Sequence, residues 1–163
     1  IGLIPRLRRI WATKGQRPIV KVQTQYEWHY LYAFVRPQTG DTIWYILPEV
    51  STVAFQAVLD NFANARAASE TPHILLVLDQ APWHMSKDLR LPIGLEFLPT
   101  PPYSPELQPA EHLWELSDEP LVNRSFDTLD QLQDILSKQC VSLIQQPERI
   151  KALTLFHWWP IIV

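Results

Sequence analysis

Pro101-Pro102-Tyr103-Ser104-Pro105-Glu106-Leu107-Gln108-Pro109-Ala110-Glu111-His112-Leu113-Trp114-Glu115 is the stretch from which the rest of the chain can be read. Its proline pair, followed by Pro105 and Pro109, keeps the backbone out of helix as far as residue 109, because each ring fixes its own φ and restricts the residue before it. Pro109 suits the first position of a helix, where a missing N–H costs nothing. Glu111 then falls in the first turn, where a carboxylate gains from the exposed N–H groups. A rigid loop that fixes where a helix starts also fixes the direction of Glu111, and a metal ligand needs a fixed direction. Taken alone, Glu111 reads equally as an ordinary helix-start glutamate.

The second informative stretch lies upstream. His73-Ile74-Leu75-Leu76-Val77-Leu78-Asp79 is an unbroken apolar run that ends in a carboxylate. It is too short for a typical helix and predicts a strand buried on both faces, as in a parallel sheet. Ligands of open α/β sheets bind at the carboxyl ends of strands, where Asp79 falls. An acid closing a strand is also a common turn or cap residue. Gln80-Ala81-Pro82-Trp83-His84 then leaves the sheet.

Together, Asp79-Gln80-Ala81-Pro82-Trp83-His84 and Pro102 through Trp114 resemble the catalytic core of the DDE transposases, in the bacterial insertion-sequence branch of the mariner-like superfamily. That family's pattern is an Asp-Asn-Ala-x-x-His strand end, then a Ser-Pro-x-Leu-Asn-Pro-Ile-Glu-x-x-Trp loop and helix. Gln80 and Gln108 stand here in place of Asn, keeping an amide, and Ala110 stands in place of Ile. Glu111 follows Asp79 by 32 positions, slightly closer than the family usually shows. The resemblance implies a ribonuclease H-like α/β fold, with a mixed sheet flanked by helices. It makes Asp79 the second and Glu111 the third carboxylate of a metal-binding triad for two ions, Mg²⁺ or Mn²⁺. It further implies cleavage of transposon DNA ends, strand transfer into target DNA, and a homodimer when complete.

In that family the first catalytic Asp closes the first strand, just before the position matching Ile1. The resemblance therefore implies a single catalytic domain over residues 1–163 that lacks its first strand and any helix-turn-helix reader. Such a chain is expected not to cut DNA with Mg²⁺. Glu27 and Asp41 match no motif and read as hairpin or loop residues.

Length and composition agree with one folded domain: 163 residues, 47% hydrophobic, with seven tryptophans. The lone Cys140 excludes an internal disulfide framework and suits a reducing bacterial cytoplasm, where the DNA partner lies in the nucleoid. No run is long and apolar enough to suggest a membrane span. Arg6, Arg8, Arg9, Lys14, Arg17 and Lys21 precede every acidic residue, so a basic arm leads into a body that carries all 17 acids. Such an arm suits phosphate contact or simply solubility. The resemblance matches Arg8 to Pro18 with the connection after the first strand and favours DNA contact by Arg8, Arg9, Lys14 and Arg17.

Elsewhere, residues 29–35 and 42–47 flank a Pro-Gly turn and predict an antiparallel hairpin rich in β-forming aromatics. A short strand is expected over residues 19–23. Ser51 should cap a helix to about residue 66, with Phe55, Val58, Leu59 and Phe62 on one face. Residues 95–98 predict a parallel neighbour of the Asp79 strand. The helix of Glu111 should break near Asp118-Glu119-Pro120. A further helix is expected from about Phe126, with Leu129, Leu132, Ile135, Leu136, Leu143 and Ile144 inward. The tail Phe156-His157-Trp158-Trp159-Pro160 is expected to dock on the core, or else to form a dimer contact. Around the site, His84 and His112 could orient a phosphate or a ligand water, and Glu115 could support from one turn on. Trp114 reads as packing, and Trp83 as the better candidate to touch DNA. Without Cys or paired His at zinc-like spacing, a transition-metal centre is not indicated. Two other readings stay open: a non-catalytic remnant that keeps DNA-binding or dimerising surfaces, and another nuclease of the same fold, such as a junction resolvase.

Overall fold

The structure is a computed structural model that describes residues 1–19, 21, 24–67 and 73–159. Strand β1 (Tyr30–Arg36) pairs antiparallel with β2 (Asp41–Leu47), in the register Tyr30 to Leu47 through Arg36 to Asp41. The turn between them holds Gly40 at φ 78, a left-handed conformation that favours glycine. A Cβ there would lie 1.9 Å from the Pro147 carbonyl oxygen, so the absent side chain lets the turn seat against a later helix.

Helix α1 (Thr52–Ala67) begins as expected, with Ser51 Oγ accepting from Ala54 N at 3.0 Å. Strand β3 (Ile74–Leu78) pairs parallel with β4 (Leu95–Pro99), Leu76 opposite Phe97. Single 3₁₀ turns at Pro105–Leu107 and Pro109–His112 lead into α2 (Leu113–Asp118), and Glu119–Leu121 closes it with another. Helices α3 (Leu129–Ile144) and α4 (Pro147–Thr154) complete the described elements.

The hairpin is apolar on both faces because both are covered. On one side, Leu31, Trp44 and Ile46 meet a cluster of Leu3, Leu121, Phe126, Leu132, Leu136 and Cys140. Beside it, Ala33 and Val35 meet Leu113, Leu116, Leu143 and Ile150 from α2, α3 and α4. On the other side, Tyr32 stacks on Phe55 at 5.9 Å and Phe34 on Phe62 at 4.3 Å, both from α1. The same α1 face reaches the second ribbon, where Phe55 and Leu59 pack with Leu78 and Leu76. Burial of each such leucine contributes about 1.5–3 kcal/mol.

Several expectations need correction. The mixed antiparallel and parallel pairing is as expected, but among the described residues it is divided between two two-stranded ribbons that α1 bridges. Strand β3 is parallel, yet Leu75 is 54% exposed, so the run is not buried on both faces; among the described residues one long edge of β3 has no neighbour strand. Helix α3 starts at Leu129, not Phe126, because Thr128 Oγ1 accepts from Gln131 N and caps it there. Phe126 lies ahead of the cap, in the core. Ile144, in the last turn of α3, is exposed. Helix α4 was not anticipated, although Pro147 at its first position and Glu148 in its first turn are ordinary start signals. The aromatic tail does not enter the core: Phe156 packs edgewise on the His112 ring at 5.1 Å, and Trp158 stays exposed. The strand expected over residues 19–23 falls partly outside the described residues, and Ile19 and Lys21 belong to no strand.

Cys140 is buried against α3's neighbours, and burial pushes its thiol up to about 11. The folded protein is therefore expected to be inert to a disulfide reagent at about pH 8, reacting only after urea unfolding. Release of coloured thiolate measures this directly.

Candidate functional site

Asp79 follows the last residue of β3, and two local bonds fix its carboxylate. Oδ1 accepts from Ala81 N at 3.1 Å, closing a turn of the kind aspartate favours, and from His84 Nδ1 at 2.6 Å. A carboxylate only accepts, so the His84 proton sits on Nδ1. The His84 ring is held in turn against Phe55 at 4.4 Å and Trp83 at 5.7 Å. With Oδ1 engaged, Oδ2 carries no hydrogen bond among the described residues, and the side chain is 59% exposed. Gln80 Nε2 donates to Thr100 O at 2.9 Å, tying the exit of β3 to the exit of β4.

Glu111 lies on the 3₁₀ turn Pro109–His112, which Pro109 opens as expected; the α-helix itself starts two residues later, at Leu113. The turn is anchored by Glu111 N donating to Gln108 O at 3.1 Å and by the buried Pro109. Its carboxylate is exposed and forms no ion pair or hydrogen bond among the described residues. Ahead of it, Tyr103 holds φ 58, an uncommon conformation for a bulky residue, where the chain bends away from β4.

Asp79 and Glu111 line the same cleft, of about 1080 Å³, between β1, β3 and the 105–114 segment. Trp83, His84 and Trp114 also line it. His112 and Glu115 do not; His112 faces Phe156, and Glu115 is exposed in the first turn of α2. Trp114 packs edgewise on Trp44 at 6.5 Å, the packing role its spacing suggested. Trp83 is half-buried beside Phe55 and Leu78. Burial, then the negative charge of Asp79, then Tyr30, raise the Tyr32 hydroxyl above its usual range.

Arg8, Arg9, Lys14 and Arg17 are all exposed and line no part of this cleft. The root of their arm is fixed. Arg8 N donates to Asn123 Oδ1, Asn123 N donates to Arg6 O, each at 2.9 Å, and the Arg6 guanidinium meets the buried Asp118 carboxylate. Asp118 was read from sequence only as a helix end; no local pattern signals an ion pair to a residue 112 positions earlier.

The donor set can be tested against a metal. Among the described residues, no three His, Cys, Asp or Glu side chains converge. The cleft offers two carboxylates with free oxygens and room for water. Hard cations that keep several waters accept such a set, whereas softer ions held by nitrogen and sulfur do not.

An α/β domain with helices on both faces of its hairpin and an acid at the end of its parallel strand is of the ribonuclease H-like class. Two structures of the Mos1 transposase share this fold: its strand transfer complex (TM-score 0.57) and its pre-cleavage transpososome (TM-score 0.60). Each is 17% identical to this chain and matches 92% of it, but this chain spans only about half of theirs, 50% and 52%. The uncharacterized protein y4pE/y4sA of Sinorhizobium fredii is 34% identical over 135 residues, which is 80% of this chain and 96% of that protein. Residues 1–133 match the family model of the DDE superfamily endonucleases. The chain belongs to that family.

Proposed function

We propose that this chain is the catalytic part of a DNA transposase, carrying two acids of a divalent-metal site that cleaves transposon ends and joins them to target DNA. The carrying observation is that Asp79 and Glu111, far apart in sequence, line one cleft with oxygens free to bind. Mg²⁺ or Mn²⁺ bound there would supply an activated water and neutralise charge at the leaving oxygen. Asp79 would hold the ion through its free oxygen while His84 engages the other, so the carboxylate would need no reorientation. Glu111 would hold it from the proline-fixed turn, and Gln80 ties the exit of β3 to that of β4. Trp83 and His84, which line the same cleft, would contact the DNA backbone there. A third carboxylate would complete the triad, and two copies would act together on the transposon ends.

The test is Mn²⁺ binding, followed by loss of the free-ion paramagnetic signal. Saturable binding is expected, and Asp79→Ala and Glu111→Ala should each weaken it at least tenfold. Unchanged binding in both variants would refute the reading.

The exposed basic arm favours a second reading, in which the chain binds DNA without cutting it. In either case replacing Arg8, Arg9, Lys14 and Arg17 with alanine should weaken binding to a generic duplex. The slope of log K against log salt should flatten by about three to four. Fluorescence anisotropy at several salt concentrations measures both.

A further inference from the structure

We infer that the basic arm carries a nucleotide site of its own, in which Trp11 stacks on an unpaired base of single-stranded DNA and Arg17 takes the neighbouring phosphate. Trp11 is wholly exposed, so no other described part of the chain covers its ring. A single exposed aromatic is ordinary and by itself points to no ligand. Here the anchoring of the arm, its turn and its charge together define what would cover the ring.

Both ends of the arm are tied to one short segment. Arg8 N donates to Asn123 Oδ1 at 2.9 Å, and Ser125 Oγ donates to the Lys21 carbonyl oxygen. The chain between them therefore leaves and re-enters the body at one place, in the manner of an Ω-loop. Within it, Gln16 N donates to Thr13 O at 2.9 Å, with Gly15 at φ 90 in the third position of the turn. That position of a type II turn demands a positive φ, which glycine adopts without strain. A Cβ on Gly15 would meet nothing within 4 Å, so the turn stands clear of the body.

This turn brings Trp11, Thr13, Gln16 and Arg17 to the border of one open hollow of about 650 Å³. The hollow shares no residue with the cleft of Asp79 and Glu111. Its side chains supply what a nucleotide needs. The indole offers a face for a base, and stacking of this kind tolerates any base. The Thr13 hydroxyl and the Gln16 amide each donate and accept, so they can meet a base edge, and the guanidinium fits a phosphate. Charge selects the same ligand, because the first 26 residues hold six cations and no acid. Arg8, Arg9 and Lys14 are exposed on the same arm. A base inside a duplex has both faces in its own stack, so only an unpaired one can lie on the ring.

This inference rests on the reading of DNA as partner and not on the metal site, so the probes are used in EDTA. They are a labelled thymidine oligonucleotide of about twelve nucleotides and a labelled hairpin duplex, each followed by anisotropy as the whole chain is added. Trp11→Ala should weaken oligonucleotide binding about tenfold, and duplex binding by less than about twofold, with Tm unchanged. Trp11→Phe keeps a stacking face and should recover most of the loss. Arg17→Ala should flatten the salt slope of oligonucleotide binding by about 0.7. Equal losses on the two probes, or none, would overturn the inference and leave DNA as the partner. Failure of the unaltered chain to bind either probe would remove the DNA reading with it. A shift of the Trp11→Ala chain to smaller species without DNA would assign the ring to a contact between copies, and would overturn it too.

Discussion

Leu136→Ala is expected to destabilise the chain by about 3 kcal/mol, within the 2–5 kcal/mol typical of buried leucine truncation. Leu136 is 0% exposed, and it sits where α3 meets Leu3, Leu121 and Phe126, with Trp44 and Ile46 of the hairpin packed against the same cluster. Those neighbours come from four separate parts of the chain, so no single one can shift to fill the space. Alanine favours helix slightly more than leucine does, but that gain is a few tenths of a kcal/mol at most and does not change the sign. For a chain of this size the loss lowers Tm by about 6–12 °C. Leu75→Ala is the matched control: Leu75 is half exposed on β3, and its loss should cost under about 1 kcal/mol. Urea unfolding of both variants measures the difference, and equal costs would show that the core does not sit behind the hairpin.

Arg6→Ala is expected to cost about 2 kcal/mol and to free the basic arm. The Asp118 side chain is 2% exposed, and its carboxylate meets the Arg6 guanidinium, which is itself largely in solvent. Removing the arginine leaves a buried carboxylate without its cation, and that desolvation dominates the loss. Because one partner is exposed, the cost should fall below the 3–5 kcal/mol of a fully buried pair. Asp118→Asn keeps the shape and removes the buried charge, so it should cost less than Arg6→Ala. The arm's root depends on the same contact, along with the Arg8–Asn123 and Asn123–Arg6 bonds. Trypsin should therefore cut between Arg8 and Arg17 faster in the Arg6 variant than in the parent. If Asp118→Asn proves the costlier change, the pair contributes net attraction and the desolvation argument is wrong.

Much of the local structure could be read from residue order. Proline and glycine placement marked the hairpin turn and the turn that Pro109 opens, and the Ser51 hydroxyl marked the start of α1, because each rests on φ restrictions or caps within a few residues. Short-range signals also misled. Phe126 was taken as a helix start although Thr128 is the residue whose hydroxyl caps α3. The apolar tail suggests core docking, but the Phe156 ring rests on His112, outside the core.

The candidate site divides in the same way. Asp79 and Glu111 were singled out by motif and by the rigid loop before Glu111, and the His84 bond to Asp79 is local enough to be within reach of sequence. Their meeting in one site was implied by the resemblance alone, and the cleft that both line depends on how α1 spaces the two ribbons. By itself the sequence determined the family, the order of most elements and the acids worth naming, because those follow from backbone restriction and side-chain chemistry over short spans. Only the tertiary structure decided that the strands stand as two ribbons around an open slot, and that Arg6 closes on Asp118. Both depend on contacts between residues distant along the chain, which local sequence does not encode.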